Sequence, residues 1–162
     1  MLLPPQFNIF SERLRHEMLQ QGMPKTIPAG VEILRAGQFI QAVPIVLKGL
    51  VKVITRHEDR EFLLYYIHPN ESCIMSFFGV IQEESSKIVA ITESETELLL
   101  LPSEQVRLWA GQYPEFNVFF ISSTICAIPI YSKPSTPCCL IIWTIVFWSF
   151  SAKKPAFRMT LT

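Results

Sequence analysis

The chain has 162 residues, enough for one domain with a substantial buried core, and its 14 Lys+Arg balance 14 Asp+Glu. A neutral total with 17% charged residues, below the roughly 25% usual for globular domains, argues against a strongly basic nucleic-acid binder. The zero is a sum of unlike parts: residues 1 to 124 hold all 14 acids and 10 of the bases, whereas residues 125 to 162 hold Lys133, Lys153, Lys154 and Arg158 with no acid and no glycine.

Met1 to Phe10 carries no base and includes Pro4, Pro5, Gln6 and Asn8, which is not the pattern of a secretory leader. Cys73 stands apart from Cys126, Cys138 and Cys139, with no CxxC spacing, so a reduced, cytoplasmic chain is expected. His16, His57 and His68 are scattered, and neither a zinc site nor any other cofactor is predicted.

Residues 6 to 21 set Phe7, Phe10, Leu14, Met18 and Leu19 at helical spacing between charged positions, predicting an amphipathic opening helix that Gly22 stops. Pro24 and Pro28 keep the next stretch extended. From Val31 to Leu101 short runs rich in Val, Ile, Leu and Tyr recur at the spacing of a sandwich or barrel. Val31 to Leu34 ends at Ala36-Gly37, and Ile45 to Leu47 and Leu50 to Ile54 flank Lys48-Gly49, where glycine suits the positive φ of a tight hairpin. Phe62 to Ile67 follows the polar turn His57-Glu58-Asp59-Arg60 and ends at Pro69-Asn70, and Ile88 to Ile91 and Glu97 to Leu101 complete the set. Thr92, Ser94 and Thr96 alternate with Glu93, Glu95 and Glu97, which predicts a sheet with one solvated face rather than a cation site. Ser103 is the predicted N-cap of a short helix with Val106, Leu108, Trp109 and Tyr113 near one face, and Pro114 starts a further helix striped by Phe116, Phe119 and Phe120. The order helix, strands, helix, helix predicts an α+β domain round a small jelly roll.

These residues resemble the sensor domain of the Crp/Fnr family of bacterial transcription regulators, a double-stranded β-helix of the cyclic-nucleotide-binding kind with flanking helices. Ile45-Val46-Leu47-Lys48-Gly49-Leu50-Val51-Lys52-Val53 is similar to that family's strand-glycine-strand hairpin, and Leu63 to Glu71 to the strand leading into its ligand loop. Ala90 to Pro102 resembles the last strands and the step into a helix, and Trp109 to Phe116, with Tyr113-Pro114-Glu115, the short helix ended by a proline. The resemblance runs from about Pro24 to Ser123. It implies four segments: an N-terminal helix (1-23), a cNMP-binding-like β-roll (24-113), the start of a dimerisation helix (114-124) and an atypical hydrophobic tail (125-162).

The resemblance places a ligand pocket at Glu71, Ser72, Cys73, Ile74, Met75, Ser76, Ser86 and Lys87, and a dimer face at Phe116, Phe119 and Phe120, with packing inside the monomer as the other reading of the three rings. The family's phosphate cassette uses a Gly-Glu pair and, farther on, an arginine. Here Ile74 and Met75 take the places of the pair, and the arginine place falls near Glu84 or Lys87, beside Glu83. A site without arginine lacks the bidentate partner of a phosphate, so the pocket is degenerate for cyclic nucleotides and is either apolar or closed. Cys73 reads as a buried small hydrophobe rather than a redox sensor, and His68 as a strand-end residue rather than a haem or metal ligand. No cysteine precedes residue 73 to help hold an iron-sulfur cluster.

The expected function is that of a sensor and dimerisation domain, not an enzyme. It is expected to be a homodimer with an unspecified small-molecule effector, to lack the family's C-terminal winged helix-turn-helix, and by itself not to bind DNA specifically. A cupin-like metal-dependent enzyme is the alternative from another class, and would need a clustered set of histidines. Cys138 to Phe150 has only Thr144 and Ser149 as polar members and is short for a spanning helix, so membrane association is not expected. Residues 125 to 162 have three readings: a membrane tail anchor, a packed segment, or the product of a frame shift after about Thr124, which would account for the joint loss of acids, glycine and periodicity.

Overall fold

The computed structural model describes residues 5–57 and 60–127, all within one compact unit spanning Met1–Ile128. The tail from residue 128 onward, with all three readings of it, lies outside the described residues.

The opening helix is two elements rather than one. A 3-10 turn, Pro5–Ile9, precedes helix α1, Glu12–Gln21, and Ser11 separates them by capping α1 through its Oγ, which accepts the Leu14 N–H at 3.4 Å. Phe7 and Phe10 from the turn and Leu14 and Met18 from α1 are buried on one side. Gly22 ends the helix for a reason of space. Its backbone is extended (φ -73, ψ 142), and a Cβ there would lie 2.5 Å from the Met18 carbonyl oxygen and 2.7 Å from Leu99 Cδ1.

Seven strands follow: β1 Met23–Ile27, β2 Glu32–Leu34, β3 Ala42–Lys48, β4 Val51–His57, β5 Arg60–Ile67, β6 Val89–Thr92 and β7 Thr96–Pro102. They form two antiparallel sheets, one ordered β1-β7-β3 and the other β2-β6-β4-β5. The predicted Lys48-Gly49 hairpin is therefore a crossing between sheets. Gly49 has the anticipated positive φ of 94°, but β3 pairs with β7 while β4 pairs with β5 and β6. The tightness is set by the next connection, since a Cβ on Gly49 would fall 2.5 Å from the Glu95 carbonyl oxygen.

The Thr92 to Glu97 stretch likewise passes from one sheet to the other instead of running as one strand. Thr92 Oγ1 is buried, donates to the Pro28 carbonyl at 2.6 Å and accepts the Val31 N–H at 3.0 Å. Thr96 Oγ1 donates to the Ser94 carbonyl at 2.8 Å. Glu93, Glu95 and Glu97 all face solvent, as the alternation implied, with Glu93 2.8 Å from Lys52 Nζ and Glu97 3.6 Å from Lys48 Nζ. Aliphatic side chains, among them Val43, Ile45, Val51, Val53, Leu98 and Leu101, fill the space between the sheets.

Helix α2, Ile74–Gln82, had no counterpart among the predicted elements. Helix α3, Ser103–Gln112, has Pro102 and not Ser103 at its N-cap and no side-chain cap; the Ser103 N–H instead bonds the Gln41 carbonyl at 2.9 Å. Val106 and Trp109 are buried as predicted, whereas Leu108 is exposed. Helix α4, Pro114–Ala127, packs against α2 and α3. Phe116, Phe119 and Phe120 are 0%, 5% and 0% exposed within a single chain. Their rings contact those of Phe7, Phe10, Phe77 and Trp109 at centroid distances from 4.2 to 6.1 Å. Within the single chain the three rings are thus an interior seam, and among the described side chains of α4, which end at Ile121, the exposed apolar ones are Val118 and Ile121, at 58% and 49%.

One carboxylate ties α1 to α3. Glu17 accepts from Trp109 Nε1 at 2.9 Å, Tyr113 Oη at 3.1 Å and Arg13 Nε at 3.0 Å. The Arg13 guanidinium first, then the Trp109 donor, hold its carboxyl below the usual carboxylate value against an opposing desolvation.

Candidate functional site

The segment from the end of β5 into the first turn of α2 carries six of the eight predicted pocket residues. β5 stops at Ile67, and Asn70 turns the chain with a positive φ of 70°. The Asn70 N–H bonds the Val46 carbonyl at 2.7 Å, and the Val46 N–H bonds the Glu71 carbonyl at 2.9 Å, which lays this segment along β3. Glu71 points back to its own turn, its Oε2 accepting the His68 N–H at 2.9 Å. Ser72 is buried and donates to the Pro44 carbonyl at 2.6 Å.

Cys73 then caps α2. Its Sγ accepts the Ser76 N–H at 3.4 Å, and its side chain is fully buried. Ile74 and Met75 occupy the first turn, Ile74 buried and Met75 packed against the core. Ser76 is 0% exposed and its Oγ has no hydrogen-bond partner. Ser86 and Lys87 stand elsewhere. Ser86 Oγ donates to the Ile88 carbonyl at 2.8 Å, and the Ser86 N–H bonds the Gln38 carbonyl at 2.9 Å, tying it to the loop after β2. Lys87 is exposed, its Nζ 2.9 Å from Glu84 Oε2.

Two residues absent from the predicted site matter here. Arg107, on α3, places Nη1 3.0 Å from Glu83 Oε1, so the acidic pair Glu83 and Glu84 meets a guanidinium and an ammonium at the surface. Tyr65, on β5, brings its hydroxyl to 3.5 Å from Cys73 Sγ. Burial pushes the Tyr65 phenol well above its usual range, Cys73 adds to the rise, and the Met75 backbone N–H at the phenol oxygen acts against it. The phenol is therefore neutral at every physiological pH. A sequence signal for Tyr65 existed: it shares strand parity with the buried Ile67.

Helix α2 also reaches the seam. Phe77 stacks on Phe120 with ring centroids 4.2 Å apart and planes at 10°, and lies edge-on to Phe116 at 6.1 Å. Ring contacts thus join α2 to α4. Outside this region, an open, uncharged cleft of about 190 Å³ is lined by Leu34, Phe39, Pro44 and Leu100, with Gln38 and Gln41 at hand. Among the described residues no group of three or more His, Cys, Asp or Glu side chains is placed to hold a metal ion, and no helix is long and apolar enough to cross a membrane.

No protein-family model matches the chain, and no curated protein matches its sequence. Solved structures match its fold. The catabolite activator protein of Thermus thermophilus is 20% identical with a TM-score of 0.63, the match covering 91% of this chain and 64% of that one. The c-di-GMP responsive global regulator CLP of Xanthomonas campestris is 17% identical with a TM-score of 0.62, covering 72% of this chain and 59% of that one. The sensor domain of the transcriptional regulator DNR from Pseudomonas aeruginosa is 13% identical with a TM-score of 0.60, covering 78% and 89%. The chain therefore spans less than two thirds of the first two regulators. The described residues have the fold of the cyclic-nucleotide-binding β-roll, as the sequence resemblance implied, in a form shared with Crp/Fnr-type regulators.

Proposed function

We propose that the chain is the sensor and dimerisation part of a Crp/Fnr-like bacterial transcription regulator, not an enzyme, with a pocket that does not hold the phosphate of a cyclic nucleotide. The observation that carries this reading is the Phe77–Phe120 stack, which couples the helix at the pocket to α4. A sensor needs such a connection between its input site and the element that carries the signal out. The pocket's polar groups support the second half of the reading, since Glu71, Ser72 and Ser86 spend their side chains on backbone partners and the sequence has no arginine between Glu71 and Lys87.

Homodimerisation is assigned to the outward side of α4, where Val118 and Ile121 stand at i and i+3. Residues 1 to 124, with 14 acids against 10 bases, are not expected to bind DNA specifically. Calorimetric titration of the whole chain with cyclic AMP and cyclic GMP, alongside sedimentation, tests the reading. A dimer that binds neither nucleotide is expected; tight binding of either, or a monomer at all concentrations, overturns the corresponding half.

A further inference from the structure

The loop that joins β2 to β3 faces two ways. Phe39 and Gln41 line the open cleft, and between them Ile40 is buried, its Cδ1 so close to α2 that a Cβ on Gly79 would lie 2.6 Å from it. Backbone bonds fasten the same loop to the segment that follows α2. The Gly37 N–H donates to the Ser86 carbonyl at 2.7 Å, the Ser86 N–H donates to the Gln38 carbonyl at 2.9 Å, and Phe39 bridges Ser85. At its far end the Gln41 carbonyl accepts the Ser103 N–H of α3. An occupant of the cleft therefore touches the chain one residue away from the contact with α2.

Size, charge and polarity select that occupant. The cleft's volume of about 190 Å³ exceeds the roughly 150 Å³ that holds a benzene molecule by the space of a small substituent. No charged side chain lines it, so an ion seated there would give up hydration without a partner. Leu34, Pro44 and Leu100 form apolar walls, and the exposed Gln38 and Gln41 supply amide donors and acceptors. Phe39, 64% exposed, is the most exposed large apolar side chain among the described residues, and a ring laid against it would be covered in return. A stable protein partner would need about 800 Å² on each side, and Phe39 is the one exposed large apolar side chain that the cleft offers.

We propose that this cleft is a binding site for a small uncharged aromatic compound, one ring with one hydrogen-bonding group, and that its occupancy is felt at α2 through Ile40 and Gly79. It gives the domain an input apart from residues 71 to 76, and only the use of that input as a signal rests on the sensor reading above.

Titration of the full chain with benzamide, followed through residue-resolved amide shifts in NMR, tests this, with benzoate as the charged counterpart of the same ring. Benzamide is expected to give saturable shifts at Gln38, Gln41 and Leu100, with a dissociation constant of about a millimolar or tighter. A smaller shift at Gly79 should follow the same curve, and Lys25 of β1 should not move. Benzoate is expected to bind about tenfold more weakly or worse. Phe39→Ala removes an exposed side chain, and should keep the fold while weakening benzamide about tenfold. No saturable shift at the cleft, equal affinity for benzoate, or an affinity unaltered in Phe39→Ala overturns the site, and saturation with Gly79 unmoved overturns the link to α2. Cyclic AMP binding would instead defeat the reading of a degenerate pocket, and would leave the benzamide outcomes as they stand.

Discussion

The roll interior and the helical seam are built from different materials. Between the sheets lie aliphatic side chains whose positions are held by backbone ladders, such as Ile45 opposite Leu99 and Val53 opposite Ala90. Among the helices lie seven aromatic rings, from Phe7 to Phe120, packed on one another, one pair stacked and the others tilted or edge-on, with Trp109 alone of the seven also hydrogen-bonded to a side chain, that of Glu17. Ladder bonds have one register, and a slip of one residue turns every side chain to the wrong face. Ring pairs are favourable in more than one geometry, offset or edge-on, each worth about 0.5–1.5 kcal/mol beyond the area it buries. The roll is positioned by directional backbone bonds, the seam by side-chain packing.

This contrast breaks first at Trp109, which joins both kinds of packing by filling the seam and bonding Glu17. Trp109→Ala is expected to cost about 3–5 kcal/mol in urea unfolding, the range for deleting a buried large aromatic. Gly49→Ala strikes the roll instead. A φ of 94° and a Cβ 2.5 Å from a carbonyl oxygen predict a loss of about 1–3 kcal/mol from strain alone, more with the clash, measured the same way. Phe77→Leu keeps an apolar side chain in the seam but removes the stack on Phe120, and is expected to cost about 1 kcal/mol or more while loosening amide exchange in α4 more than in β4.

A smaller effect is expected at Glu17. Its folded-state pKa is depressed, so its contribution is complete above the ordinary carboxylate value and is lost as pH falls through the folded value. Unfolding midpoints of the unaltered protein and of Glu17→Gln should therefore converge below about pH 4 and separate at neutral pH. The smallest effect on stability belongs to Ile121→Asp, within about 0.5 kcal/mol because the side chain is exposed, yet sedimentation should show the dimer shifted to monomer. A large loss of stability there would mean that the outer side of α4 belongs to the fold after all.

Local patterns in the sequence located most strands and the last two helices, because aliphatic and aromatic runs such as Phe62 to Ile67 and the Phe116 stripe announce themselves within a few residues. What was not legible was non-local. Nothing near Lys48-Gly49 says that the strands on either side join different sheets, since that choice is made by β7, some fifty residues on. Helix α2 was hidden by its own composition: Ile74 to Gln82 has no charge to mark a solvent face, and its cap is a cysteine rather than Ser, Thr, Asp or Asn. The site residues at 71 to 76 were named from resemblance, but Tyr65 was not, because its role depends on the chain returning eight residues later to set Cys73 beside it. The two readings of Phe116, Phe119 and Phe120, dimer face and packing inside the monomer, could not be told apart in the sequence for a similar reason, and the buried rings fit the second. An apolar stripe reports that a face is covered and not by what, and Phe7 and Phe10 from the far end of the chain cover it.

The three-stranded sheet has a consequence for how the protein is made. Its middle strand, β7, is the last to be synthesised, and both of its neighbours precede it by dozens of residues. During translation β1 and β3 leave the ribosome with no partner for their ladder groups and wait for Thr96 to Pro102 to emerge. Such late closure makes for slow folding and a period of exposed strand edges. A released chain ending before Thr96 should consequently be protease-sensitive throughout β1 and β3, and the full chain should not.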